Sequence, residues 1–375
     1  MKKLIHGTVS RWRKLSRAVQ ILLITLIVLL IAARVAMPVV VERYVNHKLD
    51  ELPDYDGRIQ DVDIHLIRGA YSIDGVNIVK TTGDVPKPFV VARKVDLSME
   101  WNELFHGALV GEIFVEDAQL NFVKAETEEQ SQTGIDRSWV EVVKDLFPFK
   151  INRFAIRGGE IWFHDLHSEP KVDVYITNVL ALATNLTNTR ELNTKYPADL
   201  NIEGATLGEG KLNLQVKIDP LAKQPTFKVA AGIKDMNLTA LNELLEAYAK
   251  VNVKRGTFEV FTEIESEEGR YEGYVKPFFV DLDVFDLEKD IKKNPLKFIW
   301  QAIVAGAVKL FKNHPKDQVA TKIPISGSFE KADVDIWVTI GNLLRNAFVQ
   351  ALAPGLDRSA EPRDLTKKEV SPIVK

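Results

Sequence analysis

Between Ala18 and Val41 the chain is apolar except for Gln20, Thr25, Arg34 and Pro38. As a helix rising 1.5 Å per residue, this run reaches ~36 Å, enough to cross a hydrocarbon core of ~30 Å. Residues 1–41 carry Lys2, Lys3, Arg11, Arg13, Lys14, Arg17 and Arg34 and no acidic side chain. The positive-inside rule then keeps the N-terminus in the cytosol and sends everything after the run to the far side. Arg34 lies near the far end of the run, where its long side chain can snorkel to the headgroups. The rival reading is a cleaved signal peptide. Its apolar core is ~7–15 residues, shorter than this run, and no clean A-x-A site follows, so an uncleaved anchor is expected.

With the seven basic residues of the N-terminal segment set aside, the body holds 42 Lys plus Arg against 52 Asp plus Glu, about −10. Such a body repels a phosphate backbone, which argues against nucleic acid as a partner. The chain has no cysteine. That removes disulfides, thiolate metal sites and cysteine nucleophiles, and suits an oxidising compartment such as a periplasm.

Beyond Glu42 the dominant pattern has period two, the mark of strands with one apolar and one wet face. Leu212, Leu214, Val216 and Ile218 alternate with polar residues, as do Phe227, Val229, Ala231 and Ile233. Phe278, Val280, Leu282 and Val284 repeat the pattern, and so do Val334, Ile336 and Val338. A short unit recurs at Leu66–Ile73, Val115–Phe122, Ile156–Phe163 and Val253–Val260: apolar, two residues, Gly or Ala, then two apolar residues at alternate positions. Each copy reads as a strand, a tight turn needing a small residue, and a second strand. The copies are irregularly spaced, which excludes a strict solenoid.

Three helices are expected among the strands. One follows Asp136 with Trp139, Val140, Val143, Leu146 and Phe147 on one face. A second follows Asn237, with Leu241, Leu244, Leu245 and Tyr248 at helical spacing. The third follows Pro295 and is apolar nearly all round: Leu296, Phe298, Ile299, Trp300, Ile303, Val304 and Phe311. It is marginal in length for a second crossing, so a plug or a shallow membrane contact is expected. The expected organisation is a basic tail (1–17), an anchor (18–41), and a first β segment (42–150) with a helix near 136–147. A second β segment (151–293) carries a helix near 238–250, a helix and strand block occupies 294–357, and a disordered tail covers 358–375.

Signatures of chemistry are sparse. His164, Asp165 and His167, with Glu169 close by, have a spacing that superficially resembles a metal site. In extended chain, however, His164 and His167 point to opposite faces, so a turn is the better reading. Asp281 and Asp283 fit a solvated strand face, and Gly158-Gly159 precedes no helix that could hold a phosphate. No catalytic residue, metal or cofactor is expected.

One-sided strands must bury their apolar faces, either as two packed sheets or as one long curved antiparallel sheet forming an open groove. Periodicity alone leaves both open. In the groove reading, Leu212, Leu214, Val216, Phe227, Val229, Phe258, Val260, Val280 and Leu282 line the interior. Acyl chains suit such a lining, at ~0.8 kcal/mol per buried CH₂. Roughly 20 strands at ~4.8 Å would make the groove ~90–100 Å long.

Several segments resemble the bacterial AsmA-like envelope proteins, in particular short members long catalogued as a domain of unknown function. They are the basic tail and anchor, the turn Gly158-Gly159-Glu160-Ile161-Trp162-Phe163-His164-Asp165, and the run from Asp317 to Phe329. Asp335-Ile336-Trp337 and Leu343-Leu344-Arg345-Asn346-Ala347-Phe348 complete the match. The resemblance implies a bacterial inner-membrane anchor and a periplasmic β-rich groove related to bridge-like lipid-transfer proteins. It also implies a role in outer-membrane lipid homeostasis, with membrane phospholipids and other envelope proteins as partners. A scaffold with a self-satisfied β-sandwich remains the alternative, and an enzyme built on His164, Asp165 and His167 a third.

Overall fold

In a computed structural model of the chain, the described residues are 17–65, 69–99, 110–132, 150–186, 194–220, 222, 224–249, 252–284, 318–320, 322–329 and 336–352. Helix α1 (Arg17–Asp50) leads into β1 (Tyr55–Arg58), β2 (Asp61–His65), β3 (Ala70–Lys80), β4 (Val90–Met99) and β5 (Val110–Lys124). There follow β6 (Lys150–Asp165), β7 (Val172–Thr184), β8 (Ala198–Thr206), β9 (Lys211–Ile218) and β10 (Phe227–Asn237). A 3-10 turn (Leu238–Leu241) and α2 (Asn242–Ala249) precede β11 (Val253–Glu267) and β12 (Arg270–Val284). The last elements are β13 (Gln318–Ala320), β14 (Ile323–Ser328) and α3 (Ile336–Leu352). All fourteen strands join one long, open, curved sheet.

Neighbouring strands are antiparallel with one exception, the parallel pair β5–β6. A wholly antiparallel sheet was expected. The exception falls where the chain makes a long connection, residues 125–149, and a parallel return needs a crossover of a dozen or more residues. Among the described residues the sheet path comprises twelve strands, which at ~4.8 Å per strand extend ~53 Å, against the ~90–100 Å expected for the whole groove.

The strands are long, up to the 16 residues of β6, yet they do not run straight. Left-handed backbone occurs within them at Gly75 (β3), Asp117 (β5), Gly158 (β6), Asn178 (β7), Asp235 (β10) and Asp281 (β12), with Gly256 of β11 also at positive φ. These positions are near neighbours across the sheet. Gly75 and Asp117 flank Arg93 of β4, and Asp117 and Ala118 adjoin Gly158 and Gly159. Pairing resumes on either side of each, as in Glu116–Arg157 and Gln119–Glu160. Each is therefore a bulge that bends its strand, and together they form a crease. The recurring unit read as a turn is mostly this crease. In three of its copies the small or acidic residue sits inside an unbroken strand, and the fourth meets the β2–β3 turn at Gly69.

At its centre the crease is tightly packed. The Asp117 carboxylate accepts from Arg93 Nε at 2.6 Å, and a Cβ on Gly158 would fall 2.4 Å from Asp117 Oδ1. Glycine at φ +70° answers both demands at once. On one side of the crease β3–β12 form a long wall. On the other, only β3–β7 continue, because β8, β9 and β10 end close to it.

Both ends of the concave face are filled by helices. The last turns of α1 bury Val45 and Leu49 against Ile59, Val62, Ile73, Ile78, Leu97 and Ile113. The contact is so close that a Cβ on Gly57 would lie 2.7 Å from that of Leu49. At the other end α3 buries Ile340 against Val216, Phe227, Val229 and Ile264, and Ala347, Ala351 and Leu352 against Phe258, Val260 and Phe279. The alternation at 334–338 had suggested a strand. From Ile336 onward the chain is instead helical, because Ile336, Ile340, Leu344, Ala347 and Ala351 recur at helical spacing and find an apolar wall. The helices expected near 136–147 and 296–311, and the tail from 358, lie outside the described residues.

Gly158→Val should lower unfolding free energy by ~2–3 kcal/mol, combining left-handed strain with the Asp117 clash. Gly341→Ala, on an α3 position with nothing within 4 Å of the new Cβ, should be neutral or slightly stabilising. Denaturant melts of the two variants check the contrast.

Candidate functional site

The candidate site is the concave face of the long wall. Register places Ile202, Leu214 and Ala231 in one cross-strand row, and Leu200, Val216, Val229 and Ile264 in the next. Seven of the nine residues expected to line the groove share this face: Leu212, Leu214, Val216, Phe227, Val229, Phe258 and Val260. Leu282 packs against the buried cluster around Phe258 and Leu238. Val280 does not join them. It pairs with Thr257 while its neighbour Phe279 meets Phe258 on the concave side, so Val280 faces outward. The bulge at Asp281 switches the face between Val280 and Leu282, and a strict alternation read through it puts Val280 on the wrong side.

Most of these side chains lie under α3, but a cavity of about 330 Å³ remains between that helix and the wall. Leu212, Leu214, Ile233, Val260, Val174 and Ile176 form its floor and side, and Leu344, Ala347 and Phe348 of α3 its cover. Thr206 and Thr262 also line it, with their hydroxyls already engaged: Thr206 donates to the carbonyls of Leu207 and Gly210, and Thr262 to that of Tyr274 at 2.7 Å. Arg345, exposed, is the one charged residue among the described lining. The expected lining omitted α3 entirely. The helical spacing of Ile336, Ile340, Leu344 and Ala347 was the available signal.

Opposite the long wall, α2 completes the short one. Asn237 caps the turn that leads into it, accepting from Thr239 N–H at 3.0 Å. Tyr248, on α2, donates to the Asp165 carboxylate at the end of β6, and Lys124 of β5 donates to the same oxygen at 2.9 Å. The other Asp165 oxygen accepts the backbone N–H groups of His167 and Ser168, each at 3.0 Å. Asp165 is 1% exposed. Burial alone would raise its carboxyl pKa, but the bonds from Tyr248, Lys124 and the two amides outweigh it and hold the group below the ordinary carboxylate range. Burial and the Asp165 acceptor push Tyr248 up, so its phenol remains the donor.

The residues considered for metal or acid–base chemistry do not converge. His164 lies on the convex side, its Nδ1 2.5 Å from Asp173 Oδ1 and its ring stacked on Trp162 at 5.8 Å. Asp165, the next residue, points the other way toward Lys124 and α2. His167 contributes its backbone N–H to Asp165. Among the described residues no group of three His, Asp or Glu could hold a metal ion.

What the fold defines is an open, creased β-trough carrying an N-terminal helix long and apolar enough to cross a membrane. No protein-family model and no curated protein matches the chain.

The Asp165 carboxyl titrates below its unfolded value of ~3.9, so its stabilisation is present above that value and lost as pH falls through the folded pKa. Asp165→Asn should therefore cost ~2 kcal/mol at pH 7, and the gap to the parent should narrow toward pH 3. Urea titrations of both proteins across this range measure it.

Proposed function

We propose that this chain is a lipid-binding or lipid-transfer protein of the AsmA-like kind, anchored in a bacterial inner membrane with its body in the periplasm. The supporting observation is the carbon-lined cavity on the concave face of an open trough whose first core element is the end of the apolar helix. Helix α1 runs unbroken for 34 residues, ~51 Å, well beyond the ~30 Å of a bilayer core. Most of the described side chains between Val19 and Val40 are exposed, among them Ile21, Leu22, Val28, Leu29, Ile31, Val35 and Val40, whereas Val45 and Leu49 are core. Arg34, expected to snorkel, has its Nη2 3.7 Å from Asp63 of β2. Anchor and trough are thus joined without a linker, and lipid leaving the membrane would meet the trough directly. This supports a role in envelope lipid homeostasis, with membrane phospholipids the source of the ligand.

A second reading has its own support. The three buried clusters show that the protein's own helices cover much of the concave face, as a scaffold for other envelope proteins requires. The open lining that remains fits a carrier of one small cargo better than a continuous bridge.

The two readings separate in native mass spectrometry of the full chain. Co-purifying lipid at fixed stoichiometry, lost in Leu214→Asp and kept in the outward-facing Asn213→Asp, supports the carrier. A folded, lipid-free parent protein overturns it in favour of the scaffold. Topology has a separate test, since the chain lacks cysteine. Lys211, 80% exposed on the wall's outer face, becomes the sole thiol in Lys211→Cys. A membrane-impermeant maleimide should label it in cells whose outer membrane alone is permeabilised; labelling only after the inner membrane is opened would reverse the orientation.

A further inference from the structure

Resting on the acyl-chain reading above, we propose that the cavity under α3 takes a single-chain anionic lipid, a fatty acid or a lysophospholipid, whose headgroup is held by Arg345. Three observations carry this. At about 330 Å³, the cavity is at the small end of the ~300–1,000 Å³ seen for small-molecule sites. That suits one aliphatic chain better than the paired tails of a phospholipid.

The polarity of the cavity is also divided as an amphiphile requires. Its walls are the side chains of Leu212, Leu214, Ile233, Val260 and Phe348, and the hydroxyls of Thr206 and Thr262 are committed to backbone carbonyls. Among the described lining residues no buried side-chain polar atom is left without a partner. A polar head must therefore stay at the rim.

At that rim stands Arg345, adjacent in sequence to Leu344 and one turn from Phe348, both of which face the cavity. Among the described residues its guanidinium makes no ion pair, although the chain carries an excess of carboxylates. Placed on the solvent side of a carbon-lined wall, an arginine covers apolar surface with its stem and leaves its head in water. The planar head offers paired donors suited to a carboxylate or a phosphate oxygen pair. A neutral alcohol or zwitterionic head gains less from it.

The test uses the full chain in lipid nanodiscs and photoreactive 16-carbon probes, with crosslinks mapped by mass spectrometry to the 227–237 and 336–352 peptides. One probe is a fatty acid, one a lysophosphatidic acid, and one the matching fatty alcohol. In the parent protein the anionic probes should label these peptides more than the alcohol. Arg345→Gln should reduce anionic labelling about tenfold and leave the alcohol unchanged, while Arg345→Lys retains an intermediate level. Preference between the two anionic probes tells carboxylate from phosphate. Equal labelling by acid and alcohol, unaffected by Arg345→Gln, overturns the headgroup assignment while leaving the acyl-chain reading intact. No labelling of either peptide by any probe overturns the acyl-chain reading itself.

Discussion

The rest of this fold depends on a steric constraint: a row of strand positions where the backbone turns left-handed. L-residues resist that region, and Gly, Asn and Asp resist it least. All four non-glycine residues at positive φ inside the described strands, Asp117, Asn178, Asp235 and Asp281, are Asp or Asn, which says the sequence has been fitted to these bends. Because Gly75, Asp117, Gly158 and Asn178 are near neighbours across β3–β7, their separate bends add to one crease. Scattered at random along the strands, the same bulges would only have roughened the sheet. Aligned, they turn it into a trough with a long wall and a short one.

Making a trough raises a second problem, since a concave apolar face left to water is costly at ~25 cal/mol per Å². The chain solves it largely with its own helices. The end of α1 fills one end, α3 covers the wall from β9 to β12, and α2 is clamped to the tip of the short wall by the Lys124–Asp165–Tyr248 cluster. What is left over is small, and the size of the remainder matters for function. A trough stripped of its helices would resemble a continuous channel, whereas under α3 the described residues leave a cavity of about 330 Å³ with a cation at its rim.

Much of this was legible in the residues. The apolar run from Ala18 to Val41 announces α1, although not that the helix continues to Asp50 as part of the core. Alternation at 212–218 and 227–233 identifies both the strands and the face they bury, because period two leaves no other choice once one face is apolar. It misassigns Val280, since a bulge next to it shifts the alternation by one residue. It also takes Ile336 and Val338 for a strand, because a few residues of β-like alternation cannot be told from the first turn of a helix. The recurring units with Gly or Ala at the small position are visible in the sequence but read there as turns. Whether a small residue reverses a chain or merely bends it depends on whether the strand's neighbours resume their pairing beyond it.

By itself, the sequence determined the local facts: which segment is apolar enough for a membrane, which residues share a side along the unbroken stretches of strand, and where small residues punctuate the strands. Those follow from side-chain chemistry within a few residues. Only the tertiary structure decided that the bends align into a crease, that β5 and β6 run parallel, that α3 lies in the trough, and that Arg345 meets Leu214 and Val260 around one cavity. Each of these brings together residues tens to hundreds of positions apart, and their proximity is set by strand order and register rather than by any local preference.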